Sequence, residues 1–195
     1  MEAKLVYFDS SIWISYFLQE SLNERAQAVQ QLIEQIEKDN GVILISYLVL
    51  LEVLEVMRKR ITEREPHTNL DEDKKKEVKD KVQEKTDIFL ESISQLAKNR
   101  KVAFINSQEP LDKWLKKTYS IFRTSFGDIS TPNYISGGGK KNPPKYHYKG
   151  AGHYDIQHAL IAKEFFAEGL HTFDQGFAEL ANYPDFKEIK FCVHK

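Results

Sequence analysis

Short apolar segments alternate with longer segments of helical periodicity along most of this chain. KLVYF (4–8), VILIS (42–46) and KVAFI (101–105) are rich in β-branched and aromatic residues, and LHTFD (170–174) and EIKFCV (188–193) follow near the C-terminus. Between them, apolar residues recur at helical spacing. This alternation is typical of repeated strand–helix units, in which helices cover both faces of a parallel sheet. We therefore predict a three-layer α/β/α fold around a central parallel β-sheet.

Length and composition fit one globular domain without a general affinity for polyanions. The 195 residues are 41% hydrophobic and 29% charged, and the net charge of −1 means that any basic surface must be local. The single cysteine, Cys192, excludes an intrachain disulfide and fits a reducing compartment. No apolar run approaches the roughly 20 residues that span a membrane, and no secretory signal pattern is evident. We expect a cytoplasmic protein.

Two segments interrupt the alternation of strands and helices. The first, approximately 61–98, is highly charged and contains a long helix predicted from about Asp71. The second, approximately 124–152, contains the Gly- and Pro-rich stretch DISTPNYISGGGKKNPPKYHYKGAG, which is long enough to suggest a functional or mobile loop. We interpret both as insertions, one helical and one a long loop, within a single domain spanning 1–195.

Two aspartates follow predicted strands. Asp9 comes directly after the first strand, and Asp174 ends LHTFD. Ligands of an open parallel sheet bind beyond the carboxyl ends of its strands. If the chain winds outward from the first strand and then returns to its other side, these two strands are neighbours and the aspartates lie side by side. Simpler interpretations are also open: Asp9 as a helix cap and Asp174 as a turn residue.

Two further acids fall on helices. Glu52 lies among apolar residues of its helix, whereas Glu55 has Arg58 and Lys59 three and four residues on, as in a solvent-facing ion pair. A carboxylate among core residues is costly unless its charge is compensated, and a divalent cation would compensate it. Asp155 begins the predicted helix DIQHALIAKEFFAEG, either as its N-cap or as another acid of the same site.

Taken together, these acids predict a metal site with oxygen ligands. Carboxylates without thiolates or paired imidazoles favour Mg²⁺ or Mn²⁺ over zinc. One or two such ions activate water for phosphodiester hydrolysis, so that no side-chain nucleophile is needed. We interpret His153 and His158, which flank Asp155, as surface or core histidines rather than as a general base. The predicted ligands are Asp9, Glu52, Asp155 and Asp174.

Other classes of protein could also place an aspartate after the first strand. A nucleotide-binding protein would carry a Gly-rich turn where this chain has DSSIW. A phosphotransferase with Asp9 as nucleophile would be expected to have a second aspartate two residues on and a lysine partner, and neither is evident. A catalytically inactive RNA-binding or scaffold protein stays open. Metal binding that depends on Asp9 would distinguish an enzyme from such a scaffold.

Four segments resemble, in order, the signatures of the PIN-domain nucleases, a family that includes VapC-type toxins: VYFDSSIWISYF, ISYLVLLEV, HYDIQHALIA and LHTFDQGFAEL. The resemblance covers roughly 1–60 and 150–195 and implies a PIN-like fold. It places the family's catalytic metal ligands on the four acids listed above and its supporting hydroxyls on Ser10 and Thr172. The chain departs from the compact toxins of the family by its two insertions.

The resemblance also implies an activity and partners. It indicates a Mg²⁺- or Mn²⁺-dependent endoribonuclease with an RNA substrate, a possible homodimer and a possible antitoxin partner. A structure-specific DNA nuclease and an inactive RNA-binding PIN domain are the alternatives.

The second insertion carries a separate signal for nucleic-acid binding. From Ile129 to Tyr154 there is no Asp or Glu, while lysines alternate with tyrosines. Lysines neutralise phosphates, and tyrosine rings stack on unpaired bases. We predict that this segment grips RNA over the acidic site; the alternative is a solvated loop without a role. The predicted binding residues are Lys140, Lys141, Lys145, Tyr146, Tyr148 and Lys149.

Overall fold

The computed structural model describes residues 3–17, 24–63, 72–125, 133–136, 145–147 and 152–195. Its strands are β1 (Leu5–Phe8), β2 (Val42–Ser46), β3 (Val102–Ile105), β4 (Asn133–Ser136), β5 (Lys145–His147), β6 (Gly169–Thr172) and β7 (Lys190–Val193). Strands β3, β2, β1, β6 and β7, in that spatial order, form one parallel sheet. This confirms the predicted central parallel sheet.

Helices follow the strands and flank the sheet. They are α1 (Ser10–Phe17), α2 (Glu24–Lys38), α3 (Tyr47–Glu63), α4 (Glu72–Lys98), α5 (Leu111–Ser125), α6 (His153–Glu164) and α7 (Phe177–Leu180), with a 3-10 turn at Pro184–Phe186. The long helix predicted in the charged segment is therefore present as α4. None of the described helices is both long enough and apolar enough to cross a membrane.

Burial explains why these segments fold as they do. Strands β1 and β2 are buried along nearly their whole length, because helices cover the sheet on both sides. Helix α2 buries residues spaced three and four apart, Ala26, Val29, Ile33 and Ile36, and leaves its other face polar. Helix α6 is buried on several sides, since six of its twelve residues are in the interior. The core thus fixes α6 firmly against the sheet.

The strand order places β1 between β2 and β6. Strand β1 pairs with β2 on one side and with β6 on the other, and Phe8 is the register partner of His171. The N–H of Asp9 continues this pairing by donating to the His171 carbonyl at 3.1 Å. The predicted winding is therefore confirmed, and the end of β1 is the point where the strand order reverses, which is the usual ligand-binding edge of such a sheet.

The Gly- and Pro-rich segment contains regular structure that we predicted as loop. Strands β4 and β5 form an antiparallel pair in which Tyr134 and Tyr146 are register partners. Aromatic and β-branched residues, which favour extended backbone, occupy this pair, as in NYIS of β4. The glycines and prolines between the two strands favour a loop, so the sequence pattern does not indicate β4 and β5.

Candidate active site

Asp9 follows β1 directly and is buried, with 3% of its surface exposed. Its Oδ1 accepts hydrogen bonds from the Ser11 hydroxyl at 2.7 Å and the Ile12 N–H at 3.3 Å, and its Oδ2 accepts one from the Thr172 hydroxyl at 2.8 Å. The bond from Ile12 makes Asp9 the N-cap of α1. Burial raises the pKa of Asp9, although a positive charge on His158, when that ring is protonated, and these hydrogen bonds oppose the rise. Asp9 therefore caps a helix and also holds a buried carboxylate at the strand end.

Two hydroxyl groups fasten Asp9 to the segment that follows β6. Besides donating to Asp9, the Thr172 hydroxyl accepts the N–H of Asp174 at 2.8 Å. The Ser11 hydroxyl likewise donates to Asp9 and accepts the N–H of Phe173 at 2.8 Å. Each hydroxyl thus uses its proton on the carboxylate and its lone pair on a backbone N–H, which fixes the relative positions of the β1 and β6 ends.

Asp155 and Asp174 join Asp9 at this edge. Asp155 is the third residue of α6 and its Oδ2 accepts the N–H of Gly152 at 2.6 Å, so it supports the helix start from within the first turn, not from the N-cap position. Burial raises the pKa of Asp155 to about 6, and the negative charges of Asp174 and Asp9 act in the same direction. Asp174 is exposed and closes a turn by accepting the N–H of Gly176 at 2.7 Å. The three carboxylates therefore lie near enough to one another for the charges of Asp174 and Asp9 to act on Asp155.

Glu52, on α3, has a partner of its own. Its Oε2 lies 2.7 Å from Nε2 of the buried His158, and Ser10 also hydrogen-bonds to its carboxyl group. Burial acts to raise the pKa of Glu52, but the hydrogen bond from His158, the charge of that ring when it is protonated, and the bond from Ser10 bring it below its ordinary value. Because Ser10 directly follows Asp9, its bond places the Glu52 carboxylate beside the same strand end.

Glu55 behaves as the helix-face argument predicts. It is exposed and forms an ion pair with Arg58 at 2.6 Å, three residues on. Glu52, by contrast, is partly buried and contacts the interior through His158. The two glutamates of α3 therefore face different surroundings, and of the two only Glu52 contacts the interior.

The chemistry of these donors fits a divalent cation. Asp9, Asp155 and Asp174 supply carboxylate oxygens, which Mg²⁺ and Mn²⁺ prefer, and their mutual repulsion at Asp155 is what a cation would relieve. As the side chains lie in the described ranges, no group of three or more His, Cys, Asp or Glu residues is placed so that it could hold an ion. Binding of a cation by these carboxylates would therefore require their side chains to move from the positions seen in the structure.

The structure describes only part of the predicted nucleic-acid-binding segment. Lys145 and Tyr146 begin β5. The other predicted residues, Lys140, Lys141, Tyr148 and Lys149, lie outside the described residues. Their contribution stays a prediction.

Comparison with known families places this site in context. A family model described as the PIN domain matches residues 6–112, which is more than half of the chain. The chain belongs to the PIN-domain family. PIN domains are in general metal-dependent nucleases, so membership indicates a hydrolase that acts on nucleic acid with a divalent metal ion. The match includes Asp9 and Glu52 and ends before Asp155 and Asp174. No curated protein was found to match this sequence.

Some residues of this PIN-domain site escaped sequence analysis. Ser11, and not its neighbour Ser10, is the serine that donates to Asp9. His158 is a core histidine, one of the two placements (surface or core) predicted for it, but its bond to Glu52 was not foreseen. Its position three residues after Asp155, on the same face of α6, was the available signal, since residues at that spacing share a helix face.

Proposed function

We propose that this chain is a metal-dependent endoribonuclease, with Asp9, Glu52, Asp155 and Asp174 as the metal-binding and catalytic residues. The observation that carries the proposal is the placement of Asp9, Asp155 and Asp174 at the edge where the strand order reverses. Burial raises the pKa of Asp155 to about 6, and the charges of Asp174 and Asp9 add to that rise. Mutually repelling carboxylates at such an edge have a cost in the metal-free protein that a cation would offset.

Each protein group has a distinct part in this proposal. A bound Mg²⁺ or Mn²⁺ would supply Lewis-acid stabilisation of the phosphate and an activated water. Asp9 is held by three hydrogen bonds and keeps its orientation, while Asp174 lies on the solvent side, where its carboxylate accepts the Gly176 N–H. Ser10 and Thr172 are supporting residues, since Ser10 bonds to Glu52 and Thr172 bonds to Asp9.

The substrate class is supported by the second insertion. Between Ile129 and Tyr154 the chain carries lysines and tyrosines and no acid, in contrast to its net charge of −1. Such a composition suits a flexible single strand, because exposed bases stack on tyrosine rings and lysines neutralise the backbone. We therefore propose RNA with unpaired bases as the substrate.

The experiment that tests the substrate class compares matched nucleic acids. The purified chain is incubated with Mg²⁺ or Mn²⁺ and with single-stranded RNA, a hairpin RNA, and single-stranded and flap-bearing DNA of the same sequence. Internal cleavage of RNA with intact DNA is the expected result. Faster cleavage of the flap DNA would favour the structure-specific DNA nuclease, and binding of RNA without cleavage would favour an inactive RNA-binding domain.

The VapC-like role is a further part of the proposal. As a toxin in the reducing cytoplasm, the chain would arrest growth of a host cell that expresses it, and a small DNA-binding antitoxin would bind it and relieve the arrest. Light scattering of the purified protein would test the proposed homodimer. Growth unaffected by expression of an RNA-cleaving chain would contradict the toxin role and leave the nuclease activity standing.

A further inference from the structure

A hydrogen-bond network of four polar side chains leads from the edge of the sheet into the core. Glu52 Oε2 lies 2.7 Å from His158 Nε2, His158 Nδ1 lies 2.7 Å from the Tyr7 hydroxyl, and that hydroxyl lies 2.7 Å from the Ser46 hydroxyl. The inner three residues are at most 2% exposed. These residues come from α3, α6, β1 and β2, so the hydrogen-bond network joins four elements of secondary structure.

Only one arrangement of protons gives every group in this network a hydrogen-bond partner. An ionised Glu52 can only accept, so His158 must carry a proton on Nε2. In the neutral ring Nδ1 then accepts from the Tyr7 hydroxyl, and the Tyr7 oxygen accepts from the Ser46 hydroxyl. The Ser46 oxygen in turn accepts the N–H of Val49 at 3.4 Å.

If the hydrogen bonds ran in the opposite direction, from His158 through Tyr7 to Ser46, the Ser46 hydroxyl would lack an acceptor. If both ring nitrogens carried protons, Tyr7 would donate to Ser46, and the buried Ser46 hydroxyl would have no acceptor among the contacts of the described residues. Buried hydroxyls without partners are rare because each costs free energy. The hydrogen-bond pattern therefore selects the neutral ring with its proton on Nε2.

His158 also links two acids of the site. It lies three residues after Asp155 on α6, while the carboxylate that it contacts belongs to α3. The ring is packed in the core and held from behind by Tyr7, so the Nε2–H points at Glu52 from a fixed place. A carboxylate on a flexible three-bond side chain is thereby restricted to one orientation.

From this geometry we propose that His158 is a positioning residue, which holds the Glu52 carboxylate ready to bind the divalent cation, with Tyr7 and Ser46 fixing the ring. The inference rests on the proposed function, in which Glu52 is a metal ligand. Hydrogen-bond partners of metal ligands typically contribute 10–100-fold to metal affinity. Because His158 itself stays out of the ligand set, its effect must pass through Glu52.

A double-mutant cycle on Mn²⁺ binding, measured by calorimetry, tests this dependence. His158→Leu is expected to weaken Mn²⁺ binding about 10–100-fold. The same substitution in a Glu52→Gln background should weaken it no further, because the group that His158 positions is already lost. His158→Gln, which can keep an N–H near the Nε2 position, should recover part of the affinity.

Tyr7→Phe gives a second variant that keeps the size of the side chain. It removes the hydroxyl behind the ring and is expected to weaken Mn²⁺ binding about 2–10-fold, the effect of one ordinary hydrogen bond. If His158→Leu does not fold, the cycle is run with Tyr7→Phe in its place. Thermal unfolding of each variant in EDTA reports whether the protein is folded.

A measurement without metal completes the test. The ¹⁵N chemical shifts of the His158 ring should report a proton on Nε2 and none on Nδ1, in line with the direction of the hydrogen bonds. A ring without a proton on Nε2, an unchanged Mn²⁺ affinity in His158→Leu, or an equal loss in the Glu52→Gln background would each overturn the positioning role. Wild-type protein that binds Mn²⁺ but leaves RNA intact would overturn the proposed function alone. The positioning role would stand, since the double-mutant cycle measures Mn²⁺ affinity and not RNA cleavage.

Discussion

The Thr172 hydroxyl donates to Oδ2 of Asp9 at 2.8 Å and accepts the N–H of Asp174 at 2.8 Å, so one side chain connects two acids of the site. Thr172 is fully buried at the end of β6, and Asp9 follows the adjacent strand β1. This connection depends on the parallel pairing of two strands that are about 160 residues apart in the chain. The fold itself thus assembles this part of the site.

Replacing Thr172 tests the importance of this connection. Thr172→Val keeps the shape but removes both hydrogen bonds, and the buried Asp9 carboxylate and the Asp174 N–H each lose a partner. We expect the free energy of unfolding to fall by about 1–3 kcal/mol, measured by urea denaturation. Thr172→Ser keeps the hydroxyl and is the matched control. Equal loss in both variants would point to the methyl group and not to the hydrogen bonds.

Glu52 and Glu55 form a matched pair on one helix. Glu52→Gln should lower the rate of metal-dependent RNA cleavage by about 100-fold, in the range found when one electrostatic stabiliser is removed. Glu55→Gln should cleave at close to the wild-type rate, because Glu55 is exposed and its ion pair with Arg58 contributes little. Cleavage assays at equal protein concentration compare them, and similar losses at both positions would refute the helix-face argument.

Asp155 should make stability depend on pH in metal-free buffer. Its pKa is raised from 3.8 to about 6, so between these values the folded state binds more protons than the unfolded state, and stability falls as pH rises. Asp155→Asn removes this effect and keeps an oxygen that can accept the Gly152 N–H. We expect Asp155→Asn to be more stable than wild type by on the order of 1–3 kcal/mol above pH 6.

The pH profile supplies the control for this prediction. Below about pH 4 the advantage of Asp155→Asn should vanish, because wild-type Asp155 is then protonated as well. Denaturation in EDTA from about pH 3 to about pH 7.5 measures the difference, and effects of other groups such as His171 cancel between the two proteins. A constant difference at all pH values would show that the charge of Asp155 is not its cause.

The lysines of the second insertion should act on RNA binding alone. Changing Lys140, Lys141, Lys145 and Lys149 to Ala should weaken RNA binding and flatten its salt dependence by about 0.7 per lost phosphate contact on a double-logarithmic plot. Mn²⁺ affinity should stay unchanged. Fluorescence anisotropy at several salt concentrations tests this, and unaltered RNA affinity at low and high salt would return the segment to a solvated loop without a role.

The sequence predicts the sheet well because local patterns determine it. VILIS is apolar on both faces, which indicates a central parallel strand, and β2 spans those same residues. The spacing of Arg58 from Glu55 is likewise local, so the exposed ion pair could be foreseen. Both inferences need only neighbours within a few residues.

Contacts between distant residues explain what the sequence did not reveal. His158 and Tyr7 are 151 residues apart, and nothing in either segment specifies that a ring nitrogen meets a hydroxyl. We predicted that α6 begins at about Asp155, but it begins two residues earlier, at His153. Asp155 is therefore the third residue of the helix. The N-cap residue, Gly152, has no side chain that could form a capping hydrogen bond, so the usual sequence signal of a helix start is missing.

Cleavage by Asp9→Asn tests the central claim most directly. Asp9 accepts three hydrogen bonds, and an asparagine keeps one oxygen in place, so the variant should fold and should be at least as stable as wild type in EDTA, since it removes a buried charge near two other acids. Wild-type protein should cut single-stranded RNA in Mg²⁺ or Mn²⁺ and not in EDTA, whereas folded Asp9→Asn should be slower by about 100-fold or more. RNA cleavage by Asp9→Asn at the wild-type rate, or wild-type cleavage that persists in EDTA, would contradict the account.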